Sequence, residues 1–92
     1  MMKFEEVVSN WLQISVVNEA RPNDRAAKDT AGFFLEILKE DHGLENVSYE
    51  RDPFEYIVSF EKDGEPQQLK FQRGIIEKLL EDIESEPRYN QQ

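Results

Sequence analysis

The sequence predicts an α+β domain in which two N-terminal helices precede a three-stranded antiparallel β-meander and a C-terminal helix (ααβββα), with the helices packed on one face of the sheet. Three observations predict this order. Apolar residues recur with a helical period to about residue 41, with a period of 2 from about residue 46, and with a helical period again from residue 75. The length of 92 residues is that of one small domain. We therefore expect a single globular domain over residues 1–87 and a flexible C-terminal tail over residues 88–92.

The first helix is predicted over about residues 3–17 by five apolar residues that form one stripe: Phe4, Val7, Val8, Trp11 and Leu12. Trp11 lies near the centre of this stripe and is the expected core anchor. Val16 and Val17 lie off the stripe, so we expect them at a frayed end or in contact with something else. Pro22 disfavours helical backbone at the residue before it and predicts a break.

The second helix is predicted from Asn23 or Asp24, either of which can cap it, to about Asp41, with Gly43 supplying the left-handed residue beyond its end. Its apolar stripe contains Ala27, Ala31, Phe34, Leu35 and Leu38. Phe33 and Ile37 widen that stripe to about half the circumference. Such a helix packs against two elements of its own chain, or against one element and a second chain. The candidate oligomer contacts are therefore Val16, Val17, Phe33 and Ile37, and both a monomer and a homodimer are compatible with the sequence.

Two turns predict the register of the three strands. Asp63-Gly64 is a strong signal for a two-residue hairpin loop, and it places Val58 opposite Leu69 and Tyr56 opposite Phe71. A turn at Asp52-Pro53, treated in the same way, places Tyr49 opposite Tyr56 and Val47 opposite Val58. Both registers give the meander one apolar face and one mostly polar face that is expected to meet water. Gly74 then ends the third strand, and a last helix is predicted to run to about Ser85.

The composition excludes several classes of protein. The chain has no Cys, which excludes disulfides, a thiolate nucleophile and Cys-based metal sites. It has 20 Asp and Glu against 11 Lys and Arg, a net charge of −9, and the scattered basic residues predict no direct binding of nucleic acid. No apolar stretch is long enough to cross a bilayer. We therefore expect a cytoplasmic protein that does not bind a membrane.

The sequence contains no assembled set of catalytic residues. Its single His, His42, is expected at the C-terminal end of the second helix, where the helix dipole favours a cation. No serine or glycine motif for nucleophilic catalysis or phosphate binding is present. We therefore assign no catalytic, cofactor-binding or metal-binding residue, predict no cofactor, and expect a protein that is not an enzyme. A small metal-dependent enzyme that uses carboxylates only is an alternative.

The acidic charge is densest on the predicted strands and their turns. The segment between residues 44 and 72 contains seven acidic residues and three basic ones. This density predicts a candidate partner-binding face that contains Glu50, Glu55, Glu61, Asp63 and Glu65. A non-catalytic accessory or regulatory protein of bacterial or phage type, which binds another protein with a basic surface, is the function we expect. Two alternatives are an acidic phosphate mimic that inhibits a nucleic-acid-binding protein and a surface charge that only maintains solubility.

Overall fold

A computed structural model describes residues 3–85, and its elements follow the predicted order. The seven elements are α1 (Phe4–Ala20), α2 (Arg25–Glu40), β1 (Leu44–Arg51), β2 (Glu55–Lys62), β3 (Glu65–Gln72), α3 (Arg73–Ile76) and α4 (Lys78–Ser85). The strands form one antiparallel sheet in the order β1-β2-β3. The predicted α+β class is thus confirmed, while the predicted tail and the end of the domain lie outside the described residues.

Helix α1 extends three residues beyond the predicted end, and α2 begins where the capping signal predicted. The longer helix places Val16 and Val17 in the core, where they are 2% and 0% exposed. Asp24 is the N-cap of α2, and its Oδ1 accepts a hydrogen bond of 3.1 Å from the N–H of Ala27. Gly43 has a φ of +69° between α2 and β1, the left-handed conformation that glycine adopts at little steric cost.

The hairpin between β2 and β3 has the predicted register. Tyr56 lies opposite Phe71 and Val58 lies opposite Leu69. Asp63 and Gly64 have φ values of +55° and +76°, as a type I′ turn requires at both central positions. The hairpin is therefore fixed by its turn chemistry and its apolar pattern together.

The predicted register between β1 and β2 is wrong by two residues. Tyr49 lies opposite Val58, and Arg51, instead of Tyr49, lies opposite Tyr56; Val47 likewise does not face Val58. Because side chains alternate along a strand, a shift of two residues keeps every side chain on its predicted face.

The longer turn between β1 and β2 explains the shift. The Oδ1 of Asp52 accepts hydrogen bonds from the N–H groups of Phe54 (2.7 Å) and Glu55 (2.6 Å). The N–H of Asp52 also donates to the carbonyl of Glu55 at 2.9 Å. This side-chain turn inserts four residues between the facing pair Arg51 and Tyr56, where two had been predicted.

Strand β1 also begins earlier than predicted and contains a bulge. The register shifts between Glu45 and Ser48, and Asn46 within this segment has a φ of +53°. A bulge adds one residue to one strand and changes which side chains share a face. Leu44 consequently lies on the helix side of the sheet, where it is fully buried, and Glu45 lies on the opposite side.

The C-terminal helix is divided into α3 and α4 at Glu77. This residue keeps right-handed torsions, with φ −81° and ψ −4°, so the division is local. Helix α3 begins directly after β3, and the N–H of its first residue, Arg73, donates to the carbonyl of Phe54 at 3.2 Å.

The core lies between α1 and the apolar face of the sheet. Trp11 meets Tyr49 edge to face at 5.7 Å between ring centroids, and Phe4 meets Phe60 in the same way at 6.1 Å. Helix α2 packs on α1 and contributes Leu38 to the same apolar cluster. No side chain on the opposite face of the sheet is buried within the described residues.

Candidate functional site

The face of the sheet that points away from the core is the candidate functional site and is called the outer face here. Strand alternation and the observed register assign to it Glu45, Ser48, Glu50, Glu55, Ile57, Ser59, Glu61, Pro66, Gln68, Lys70 and Gln72. Each of these residues is half-buried or exposed, and none is buried. The alternation is that of an antiparallel sheet with one solvated face.

The outer face carries four carboxylates and a single ammonium group. Lys70 Nζ lies 3.9 Å from a carboxylate oxygen of Glu55, an exposed pair of the kind that contributes little to stability. Glu45 lies directly opposite Glu61 on the neighbouring strand. Like charges that face each other across two strands are destabilising, and a cation from another molecule would relieve this repulsion.

The structure separates the five acidic residues predicted for partner binding. Glu50, Glu55 and Glu61 lie on the outer face, whereas Asp63 lies in the hairpin turn. Glu65 lies opposite Lys62, in the row of residues on the helix side. At about 3.4 Å per residue, the six steps along β2 from Glu55 to Glu61 span about 20 Å.

Glu45 belongs to the outer face and was missed from the sequence. The predicted strand began after this residue, and no periodic pattern of side chains crosses a bulge unchanged. The apolar residue before it, Leu44, is the signal that could have extended the strand. Glu45 and Glu61 together form the acidic end of the outer face, next to the β2–β3 turn.

An open depression of about 480 Å³ lies beside Glu61. Its lining consists of Asn46, Ser59, Phe60, Glu61, Pro66, Gln67 and Gln68. Asn46 Nδ2 donates to Glu61 Oε2 at 2.7 Å, and Gln68 Nε2 donates to Ser59 Oγ at 3.4 Å. The depression therefore offers a carboxylate and amide groups to a ligand.

A second polar cluster connects α1, β1, β2 and α3 at the other end of the domain. The hydroxyl of Tyr49 and the guanidinium of Arg51 each donate to Glu19 Oε2 at 2.8 Å. Arg51 Nε also donates to the hydroxyl of Tyr56 at 3.0 Å, and that hydroxyl donates to Glu77 Oε2 at 2.6 Å.

Arg73 completes this cluster. Its guanidinium donates to Glu77 Oε2 at 3.0 Å and to the carbonyl of Asp52 at 3.3 Å. The guanidinium groups of Arg51 and Arg73 lie 5.3 and 5.9 Å from the ring centroid of Tyr56, within the range of cation–π contact. Both arginines thus bond to carboxylates of the same chain, and the cluster ties the turns and helices together.

The environment of the cluster shifts four pKa values, among them that of Arg51, which the hydrogen bond to Tyr56 raises. Burial, and then the hydrogen bond to Glu19, raises the pKa of Tyr49 far above its ordinary value. Burial, and then the hydrogen bond to Glu77, raises the pKa of Tyr56. The hydrogen bond from Tyr56, together with Arg73, lowers the pKa of Glu77. These shifts keep both hydroxyls protonated and Glu77 ionised, an arrangement that stabilises the fold.

We expect alkaline pH to destabilise the protein through Tyr49 and Tyr56. An unfolded tyrosine ionises near pH 10.0, whereas the folded chain holds both protons to higher pH. Above pH 10 the unfolded state therefore loses protons that the folded state keeps, and the free energy of unfolding falls by up to about 1.4 kcal/mol per pH unit for each tyrosine. Urea titrations between pH 8 and 11 measure this slope. The Tyr49→Phe variant should have a shallower slope, and an unchanged slope would contradict the assignment.

Three of the four candidate oligomer contacts are buried or half-buried within the chain. Val16 and Val17 are buried, and Ile37 is half-buried against the core cluster. Phe33 is 59% exposed, and its ring meets that of Phe34 at 5.8 Å. Of the two residues that widen the apolar stripe on α2, Ile37 thus packs within the domain and Phe33 remains largely exposed.

His42 lies between α2 and β1 as expected, half-buried, with its ring 6.3 Å from that of Phe4 between centroids. Its carbonyl accepts a hydrogen bond of 3.1 Å from Lys62 Nζ. Within residues 3–85, no three His, Asp or Glu side chains lie close enough together to hold a metal ion. Over the same part of the chain, no helix is both long and apolar enough to cross a membrane.

Comparison of the chain with models of protein families, with curated proteins and with solved structures finds no match.

Proposed function

We propose that the protein is a non-catalytic binding module whose outer face docks on a basic surface of another protein. The observation that carries this proposal is the composition of that face, which is open to solvent and holds four carboxylates against one lysine. Acidic surfaces attract basic partners at long range and set their orientation on encounter. The facing pair of Glu45 and Glu61 marks the point at which a partner cation gains most.

The second polar cluster supports a binding role over a catalytic one. Its hydroxyls donate to carboxylates of the same chain, and its two arginines are engaged in the same way. A general base needs a pKa near the working pH, whereas the pKa values of Tyr49 and Tyr56 are raised and that of Glu77 is lowered. The cluster therefore stabilises the packing of the helices against the sheet that carries the outer face.

Two variants of equal net charge test the proposal. The outer-face variant is Glu45→Gln, Glu50→Gln, Glu61→Gln. The control variant is Asp29→Asn, Glu36→Gln, Glu40→Gln, which removes three exposed charges from α2. Proteins retained from a lysate of the source cells by the immobilised wild-type chain are purified, and their dissociation constants for the three chains are measured by calorimetry.

We expect the outer-face variant to weaken binding at least about tenfold and the control variant to leave it within about twofold, because specific docking depends on where the charge lies. The affinity of the wild-type chain should also fall as salt concentration rises. Equal effects of the two variants would overturn the proposal, because they would show that only the net charge matters. Competition by duplex DNA for the partner would identify the phosphate-mimic form of this function.

A further inference from the structure

Strand β3 is an edge of the sheet, and Pro66 fixes which of its main-chain groups are free. Facing residues in an antiparallel pair alternately exchange two hydrogen bonds and none. Pro66 lies opposite Glu61 and has no N–H, so this pair cannot exchange both bonds. The bonded pairs are therefore the alternate ones, beginning with Lys62 and Glu65 at the two-residue turn. It follows that residues 66, 68, 70 and 72 direct their main-chain groups away from β2.

This edge is accessible along its whole length. Four residues of β3 direct their main-chain groups away from β2, and all four are exposed: Pro66, Gln68, Lys70 and Gln72. Among residues 3–85, the sheet has no strand beyond β3. Leu69 and Phe71 lie between the outward-pointing residues on the helix side, and each is only half-buried although it packs against the core cluster. A further strand at this edge would cover both side chains.

We propose that a second copy of this chain occupies the edge, with the two β3 strands antiparallel about a two-fold axis at Leu69. The sheet then becomes six-stranded and continuous across the two copies. In this register the residues whose main-chain groups point away from β2 lie opposite each other. Gln68 therefore lies opposite the partner's Lys70. Leu69 faces the partner's Leu69 on the helix side.

Charge complementarity favours a second copy over an unrelated strand. One end of β3 is acidic, with Asp63 and Glu65 at the turn, and the other end is followed by Arg73, whose guanidinium is bonded to Glu77 but remains partly exposed. Antiparallel pairing about Leu69 places the acidic end of each copy at the basic end of the other, with Glu65 opposite the partner's Arg73. A shift of two residues is less favourable, because it sets Lys70 opposite the partner's Lys70 in one direction and, in the other, separates the two leucines by setting Leu69 opposite the partner's Gln67.

The pairing supplies about six main-chain hydrogen bonds. The two facing pairs of Gln68 and Lys70 exchange two bonds each, and the carbonyl of each Pro66 accepts one bond from the N–H of the partner's Gln72. Lysine and proline are common on exposed edges, where they limit uncontrolled association. Here Pro66 removes one donor at the end of the pairing and leaves the central bonds intact.

Sedimentation velocity of the full chain over a range of concentrations tests the proposal, together with two substitutions of one residue. Lys70→Pro removes the outward-pointing N–H without removing a bond to β2, a position at which an edge strand tolerates proline. It should weaken the dimer at least about tenfold, because two hydrogen bonds are lost per dimer. Lys70→Gln keeps the N–H and serves as the control, with the dimer unchanged or tighter. Far-UV circular dichroism verifies that both variants fold.

Hydrogen exchange of the wild-type chain gives a second measurement that does not depend on a variant. The amides of Gln68, Lys70 and Gln72 should exchange fast in dilute solution and become protected as the concentration rises. A chain that remains monomeric at all concentrations would overturn the proposal. So would a dimer that persists in Lys70→Pro with these three amides unprotected, since its interface would lie elsewhere. The inference is independent of the proposed function, because the outer-face variant changes side chains on β1 and β2, whereas Lys70→Pro tests a main-chain N–H of β3 and Lys70→Gln controls for the loss of the lysine side chain.

Discussion

Tyr56→Ala should reduce the free energy of unfolding by about 3–5 kcal/mol, the range for removal of a buried aromatic ring. Tyr56 is the largest of the fully buried side chains in the described part of the chain. Its ring packs in the core, and its hydroxyl connects Arg51 to Glu77. Since small domains are stable by only about 5–15 kcal/mol, the variant should be at best marginally folded. Urea unfolding followed by far-UV circular dichroism measures the change.

Tyr56→Phe separates the two contributions of this residue. It keeps the ring and removes only the hydroxyl, so we expect a loss of about 1–2 kcal/mol, while Glu77 keeps its hydrogen bonds from Arg73. If the two variants were destabilised equally, the hydroxyl would account for the whole effect and packing of the ring for none.

Val17→Asp on α1 should reduce the free energy of unfolding by about 4 kcal/mol or more. Val17 is fully buried and lies beside Ala27 and Thr30 of α2, so a carboxylate there would have to lose its hydration or force α1 away from α2. The matched control is Phe33→Asp on α2, where the wild-type ring is largely exposed. We expect the control to change the free energy of unfolding by about 1 kcal/mol or less.

This pair of variants also distinguishes core packing from self-association as the role of the candidate oligomer contacts on α1 and α2. Residues buried by a partner chain would give variants that fold normally and lose only self-association. A stably folded, monomeric Val17→Asp would therefore show that Val17 lies at an interface between copies and not in the core. Thermal unfolding and sedimentation of the same samples provide both readings.

The parts of the fold that could be predicted from the sequence are those determined by neighbouring residues. Asp63 and Gly64 specify a turn by their own tolerance of positive φ, and the apolar alternation on either side fixes the rest of the hairpin. The cap at Asp24 is equally local. Each of these features needs only a few residues of context.

The register of β1 could not be predicted in this way because a side chain sets it. Asp52 uses its carboxylate to bind two backbone N–H groups, and the turn that results is longer than its Asp-Pro sequence suggests. The bulge near Asn46 then changes the alternation at the other end of the strand. The bulge places Glu45 on the outer face, which is why this residue was missed, whereas the two-residue shift at Asp52 leaves the neighbouring side chains on their predicted faces.

The second polar cluster escaped the sequence analysis for a different reason. Glu19, Tyr49 and Arg51 come together across about 30 residues of chain, and Tyr56 and Glu77 across about 20. No periodicity relates residues at such separations, and tyrosine, arginine and glutamate are each ordinary surface residues. Only the packing of α1 and α3 against the sheet brings them within hydrogen-bond distance.

Trp11 is an intrinsic fluorescent probe of the contact between α1 and the sheet. It is the only tryptophan of the chain, it is 7% exposed, and its indole lies against Tyr49 at the contact between α1 and the sheet. Its fluorescence emission therefore registers whether the first helix is seated on the strands. If that emission shifts to the red while the far-ultraviolet circular dichroism stays native, an intermediate is present. In this intermediate the secondary structure remains formed although α1 has separated from the sheet.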